Sequence, residues 1–233
     1  MSDNAKYWVI IPAAGVGSRM GVDKPKQYIP VNGKTIIEHT LDCFLQREEI
    51  EKIIVAISST DEYWPDLSVS KNEKVITAPG GAERYQSVLN SLHVLTDKAT
   101  ENDWVLVHDA ARPCLNQSVI DRLIITLRSH DIGGILALPC RDTMKRANSM
   151  GEIDETVERD KLWHAQTPQM FRFGKLLSAI EDAFNKNIMI TDESMAMERA
   201  GYQPLLVHGQ QENIKVTHKD DLQHLNSYLD RMI

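Results

Sequence analysis

The sequence predicts an α/β protein: a three-layer sandwich on a Rossmann-like, mostly parallel sheet, with a protruding β-hairpin arm, folded as one domain over 1–233. Three observations lead there. Short apolar runs rich in Val and Ile alternate with helical patterns, as expected of strands buried on both faces and joined by right-handed crossovers. A small-residue, glycine-containing loop follows the first run, and ligands of such sheets sit beyond the carboxyl ends of the strands. One stretch, 140–164, breaks the alternation and has too few apolar positions to bury even one face.

In chain order, "WVII" is the first strand, "TIIEHTLDCFLQ" a helix, "KIIVAIS" a strand and "ERYQSVLNSLHVL" a helix. "DWVLVHDA", "QSVIDRLIITLRS" and "GGILALP" continue the alternation as strand, helix and strand. The segment "RDTMKRANSMGEIDETVERDKLWHA" then has Gly and Ser at its centre and β-branched residues on either side, which predicts a hairpin arm leaving the main body. An isolated hairpin is marginal in water, so an arm at 140–164 is expected to rest on a second copy of the chain, making a homodimer. After it, "KLLSAIEDAFNK" and "ESMAMERAG" read as helices, "QPLLVHG" and "NIKVT" as strands, and "DDLQHLNSYLDRM" as a closing helix.

Composition narrows the function. The chain is 42% hydrophobic and 25% charged, ample for a substantial core, and carries a net charge of −7. A general affinity for nucleic acid or an anionic membrane is therefore not expected, and any anion site must be a local cluster of cations. No window has the roughly 18 uninterrupted apolar residues of a membrane span, and "MSDNAKYW" lacks a basic, then apolar, secretory pattern. A cytoplasmic protein is expected. Cys43, Cys114 and Cys140 are widely spaced and make no C-x-x-C pair, which predicts neither structural disulfides nor a zinc site.

The loop after the first strand, in "YWVIIPAAGVGSRMGVDKPKQYIP", carries Arg19, Lys24 and Lys26. A dinucleotide fingerprint G-x-G-x-x-G fits at Gly15 and Gly17 but meets Met20 at its last glycine. A phosphate loop of the G-x-x-x-x-G-K-[ST] type fails too, because Tyr28 stands five residues before Gly33. What remains is a long loop wrapped around a nucleoside triphosphate, with small residues for close backbone approach and cations for the phosphates. The alternative is a solvated basic loop.

The blocks "PAAGVGSRM…KPKQY", "GGAERYQSV", "HDAARP", "DTMKRA", "TPQMF", "TDES" and "NIKVT", in this order through nearly the whole chain, resemble the 2-C-methyl-D-erythritol 4-phosphate cytidylyltransferase family. The resemblance implies a nucleotidyltransferase-type fold and transfer of CMP from CTP to 2-C-methyl-D-erythritol 4-phosphate, with release of pyrophosphate, in non-mevalonate isoprenoid biosynthesis. Ribitol 5-phosphate is the alternative acceptor, and "PAAG", "DTMK" and "TDES" side with methylerythritol.

Residue by residue, the resemblance makes Arg19 and Lys26 stabilisers of the transition state, with Gly15 and Gly17 letting the backbone close over the triphosphate. Ala13, Ala14, Gly81, Ala82 and Ser87 would select cytosine, and Ala110 lies beside the nucleotide. Asp109, after an apolar strand, would hold a sugar hydroxyl or Mg²⁺, the metal being carried mainly by the CTP phosphates; a turn or helix-end Asp is the plain reading. His108 has no visible partner and reads as structural. Arg112, Arg159 and Lys215 would meet the acceptor, Arg159 and Lys215 holding its phosphate for attack. Thr143 on the arm would reach a neighbouring subunit's site. Thr191 would contact the acceptor and, with Asp192 and Glu193, also looks like a helix cap. Glu158, His208 and the missing proline in "THKDD" depart from the family pattern without removing a proposed charge.

Overall fold

A computed structural model of the protein describes residues 5–15 and 24–230. In chain order the elements are β1 (Tyr7–Pro12), β2 (Pro30–Val31), β3 (Lys34–Thr35), α1 (Ile36–Leu45), β4 (Ile50–Ile57), β5 (Val75–Pro79) and α2 (Arg84–Leu95). Then follow β6 (Trp104–Val107), α3 (Gln117–Leu127), β7 (Gly133–Pro139), β8 (Met144–Ala147), β9 (Ile153–Val157) and β10 (Trp163–Arg172). The chain ends in α4 (Phe173–Asn185), α5 (Glu193–Arg199), β11 (Leu205–His208) and α6 (Lys219–Leu229).

Seven strands form one sheet in the order β11-β7-β10-β6-β1-β4-β5. All neighbours pair in parallel except β10, which runs antiparallel between β6 and β7. Side chains alternate between the two faces of a strand, so each strand serves two layers. Val9, Ile11, Trp104 and Leu106 pack against Ile37, Leu41 and Phe44 of α1 and Leu123 of α3. Trp8, Ile10, Val105 and Val107 pack on the other side against Leu92 of α2, Leu176 and Ile180 of α4 and Met197 of α5. Each such side chain, fully buried, contributes about 1.5–3 kcal/mol. This double burial is why the strands read as unbroken apolar runs. Helix α1 starts where it does because Thr35 and Glu38 cap each other: Glu38 N donates to Thr35 Oγ1 at 3.4 Å and Thr35 N to Glu38 Oε2 at 2.8 Å.

The order of the strands fixes where a ligand can sit. From β1 the chain goes outward to β4 and β5, then returns through α2 to β6 on the other side of β1. Loops leaving β1 and β6 thus part in opposite directions, and a crevice opens between them at the carboxyl edge. Because β10 runs antiparallel to both β6 and β7, β7 points the same way as β6, and the arm between β7 and β10 springs from that same edge.

The arm is a hairpin of β8 and β9, with Asn148 Oδ1 accepting from Met150 N and Glu152 N at 3.0 Å each across its turn. It is slightly shorter than 140–164, since Trp163 and His164 already pair with Pro139 and Leu138 in the main sheet. One sequence expectation is corrected: "NIKVT" is not a strand. Residues 213–217 cross the strand ends instead of running beside a strand, and single contacts hold them, such as Val216 N to Ala111 O at 2.9 Å.

Candidate active site

Three segments line the crevice. After β1, Ala13 and Ala14 lead to Gly15, where a Cβ would meet nothing within 4 Å among the described residues. The buried Gln27 carboxamide fixes this turn, donating to Ala13 O at 2.7 Å and Gly15 O at 3.1 Å. The second segment is 80–87. A Cβ on Gly80 would stand 2.2 Å from Ala14 Cβ, so the two loops press on each other. On Gly81 it would stand 2.3 Å from Gln86 Cβ, and Gly81 N donates to the buried Ser87 Oγ at 3.0 Å. The paired glycines therefore serve close packing within the chain, and Ser87 pins the loop that carries Ala82. Of the loop's cations, Lys24 lies 4.8 Å over the Tyr63 ring, while Lys26 Nζ donates to Val216 O at 2.9 Å, 190 positions away. Gly17 and Arg19 lie outside the described residues.

The third segment, 108–112, centres on Asp109, whose side chain is 9% exposed. Its Oδ1 accepts from Arg84 Nε at 3.0 Å, and its Oδ2 faces Lys215 Nζ at 2.9 Å and Arg112 Nε at 3.3 Å. Burial pushes this carboxyl up, but the charges of Arg84, Lys215 and Arg112 outweigh it and hold the group well below the usual carboxylate range. Arg84 in turn forks onto Glu193, 1% exposed, at 2.6 and 3.1 Å. Burial raises the Glu193 carboxyl above its ordinary range, and the charge and fork of Arg84 oppose that rise without cancelling it.

His108 is not partnerless, contrary to the sequence reading. Asp109 N donates to Thr167 Oγ1 at 3.1 Å, and the same hydroxyl faces His108 Nδ1 at 3.0 Å. His108 Nε2 then donates to Arg112 O at 3.0 Å, so the directions of the whole chain are fixed. Burial pushes this imidazole down to about 4, and it is neutral at physiological pH. Its role is to set the backbone of 109–112. Buried Asn213 completes the frame: its Nδ2 donates to Thr167 O, and its own carbonyl accepts from Arg112 Nη1, both at 2.7 Å.

Thr143 and Arg159 flank the arm's two strands and are exposed; Arg159 Nη1 donates to Arg141 O within the arm. Asp192, not Thr191, caps α5, accepting from Met195 N at 3.0 Å, which leaves the exposed Thr191 hydroxyl just outside the helix with Met195 Sδ at 3.6 Å. The crevice thus unites Ala13, Ala14, Gly15, Gly81, Ser87, Asp109, Ala110 and Arg112 with Lys26 and Lys215, whereas Thr143 and Arg159 stay on the arm. A cavity of about 440 Å³ lined by Lys34, His39, Asp42 and Cys43 contains none of the sequence-predicted site residues. Sequence reasoning missed Gln27, Arg84, Thr167, Glu193 and Asn213 as site residues. Each lies in a block of the resemblance, but what marks it is burial of a polar side chain against a distant segment.

The family model for 2-C-methyl-D-erythritol 4-phosphate cytidylyltransferase (IspD) matches residues 7–231. The chain belongs to that family. It is a nucleotidyltransferase of the cytidylyl type. The Vibrio atlanticus enzyme of this name is 50% identical over 220 residues, covering 94% of each chain. That of Pseudomonas aeruginosa is 50% identical over 222 residues, covering 95% of each. The crystal structure of the Francisella tularensis enzyme superposes with a TM-score of 0.85 at 39% identity, covering 96% of this chain and all of that one. No helix among the described residues is long and apolar enough to cross a membrane.

Proposed function

We propose that the crevice between the β1 and β6 loops transfers CMP from CTP to 2-C-methyl-D-erythritol 4-phosphate. A phosphate oxygen of the acceptor attacks the α-phosphorus in line; the new P–O bond forms as the bond to the bridging oxygen breaks, and pyrophosphate leaves with the electron pair. Negative charge accumulates on oxygens around the α-phosphorus, so catalysis is positioning plus fixed positive charge. One observation carries the reading: two cations far apart in the chain meet at one segment, Lys26 donating to the carbonyl of Val216 and the adjacent Lys215 pairing with Asp109.

In this reading Arg19 and Lys26 stabilise the transition state, and Gly15 and Gly17 admit the triphosphate. Ala13, Ala14, Gly81, Ala82 and Ser87 enclose the cytosine, and Asp109 with Ala110 meets the ribose. Lys215 and Arg112 hold the acceptor phosphate from below, with Thr191 on its hydroxyls. Arg159 and Thr143 of the partner subunit close the site from above, so the arm makes a homodimer part of catalysis. Mg²⁺ fits as an ion borne by the substrate. Among the described residues no three His, Cys, Asp or Glu side chains cluster, and Asp109 Oδ1 accepts from Arg84 alone, leaving a lone pair free. One carboxylate plus substrate phosphates is a usual set for this ion. Asp109 would hold it with the triphosphate, where it would supply charge neutralisation.

The test is pyrophosphate release with Mg²⁺ and CTP, comparing methylerythritol 4-phosphate with ribitol 5-phosphate at matched concentrations. Release with the first alone is expected. Release with the second alone would overturn the acceptor, and release with neither would overturn the reaction.

A further inference from the structure

Arg84 and Glu193 have no role in the reaction as described, yet the buried Glu193 is gripped at both oxygens by the partly exposed Arg84 beside the crevice. Arg84 opens α2 directly behind the loop of Gly81 and Ala82, and Glu193 opens α5 directly behind Thr191. A single guanidinium joins three parts: its terminal nitrogens go to Glu193 at 2.6 and 3.1 Å, and its Nε to Asp109 Oδ1 at 3.0 Å. The geometry at Asp109 depends on Glu193. An arginine fork prefers to take both oxygens of one carboxylate. With its fork committed to Glu193, Arg84 meets Asp109 side-on through Nε, and Oδ2 remains for Lys215 and Arg112.

We propose that Arg84, held by Glu193, is a positioning residue of cytidylyl transfer: it sets the orientation of Asp109 and the spacing between the 80–87 loop and the Thr191 segment. The proposal rests on the reading that puts Asp109 in the reaction site. Its consequence is alignment of the two substrates, more than affinity for either one. An ion pair that only joined two helix ends would affect stability and leave turnover of the folded protein unchanged.

Removing one partner strands a buried charge, whereas replacing both with apolar residues of similar volume is often neutral for folding. The decisive variant is therefore Arg84→Met with Glu193→Met. It should unfold cooperatively near the temperature of the unmodified protein. A misplacement of about 1 Å costs on the order of a hundredfold in rate, and kcat should fall by about that factor. KM for CTP and for the acceptor should change by less than about threefold. A kcat within about twofold of the unmodified protein, in the folded variant, overturns the proposal. Should the double variant fail to fold, Arg84→Lys applies the same criterion, since it keeps a cation but its single nitrogen cannot reach both carboxylates. Asp109→Asn is measured alongside. If it turns over normally, the reading of Asp109 falls and this proposal with it; if it is impaired while the Arg84 variants are not, the positioning role alone falls.

Discussion

At the scale of residues, the decisive features are cations that the fold gathers around one buried carboxylate, Asp109, and the segment 213–217. Lys26 sits in the short 3₁₀ turn Lys26–Tyr28, whose Gln27 and Tyr28 are buried, so its backbone is fixed before any substrate arrives. A preorganised charge of this kind is worth most where charge develops. Lys26→Ala should lower turnover about a hundredfold or more with much less effect on CTP affinity. Weakened binding at unchanged turnover, read by steady-state kinetics, would reduce the lysine to a ground-state contact. His108 makes a prediction of a different kind. Its folded value of about 4 lies below the ordinary 6.5, so between these the unfolded chain binds more protons. The stability linked to this residue is therefore complete above pH 6.5 and is lost as pH falls through 4, an effect of about 3 kcal/mol. Urea midpoints measured at pH 7 and pH 4.5 should differ less in His108→Gln than in the unmodified protein, and equal differences would remove the imidazole from the account. Asp109 was legible in the sequence because a carboxylate after an apolar strand stands at a sheet's ligand edge. Arg112 and Lys215 were expected at the same site, but Arg84 was not, since it lies 25 positions away and no local pattern marks the contact.

At the scale of elements, what the sequence revealed was whatever followed a burial period. Strands β1, β4, β6 and β7 show themselves as apolar runs because both faces are covered. Strand β10 escaped notice because Gln166, Thr167 and Gln169 interrupt its apolar pattern, and each side chain is engaged with a neighbouring segment. Gln166 Nε2 donates to Gln210 O at 2.9 Å, Thr167 serves His108, and Gln169 holds Asp192 and Ser194 at the start of α5. Strand β5 was missed as a short, half-covered edge. The arm was legible from its lack of apolar positions, and Met150 and Ile153 indeed stand 77% and 67% exposed. If Thr143 and Arg159 act across a homodimer, an inactive Thr143→Ala chain mixed with an inactive Lys26→Ala chain should regain activity in hybrid sites. Demonstrated heterodimers without recovery would confine each site to one subunit. The join between the β1 and β5 loops gives another test. A methyl at Gly80 would stand 2.2 Å from Ala14 Cβ and 3.0 Å from the Ile57 carbonyl. Gly80→Ala should destabilise by about 1–3 kcal/mol and raise KM for CTP, because the loops must part. A thermal melt and a CTP titration both unchanged would mean the loops yield freely.

At the scale of the whole molecule, the crevice is closed by the two ends of the chain. The first strand supplies Ala13 to Gly15 and the turn with Lys26; residues 213–217, almost the last, cross the same edge and supply Lys215. Neither large core cluster includes a side chain from α6. That helix belongs to a third, smaller cluster in which Leu225 and Leu229 cover Val216, Ala111, Cys114, Val31 and Ile36. The packing therefore divides the labour: the sheet and its two helical layers make the scaffold, and α6 presses residues 213–217 onto the crevice. A chain ending at His218 should keep its sheet and still unfold cooperatively, at a lower temperature, because the two main clusters are intact. Lys26 and Lys215 would lose the backing that sets their positions, and misplacement on the scale of 1 Å costs roughly a hundredfold. Turnover should fall at least that far while circular dichroism still reports the α/β fold. Loss of the fold together with activity would make α6 part of the scaffold, and full turnover without it would mean that the contacts of residues 213–217 with Lys26, Asp109, Ala111, Arg112 and Thr167 suffice to hold them.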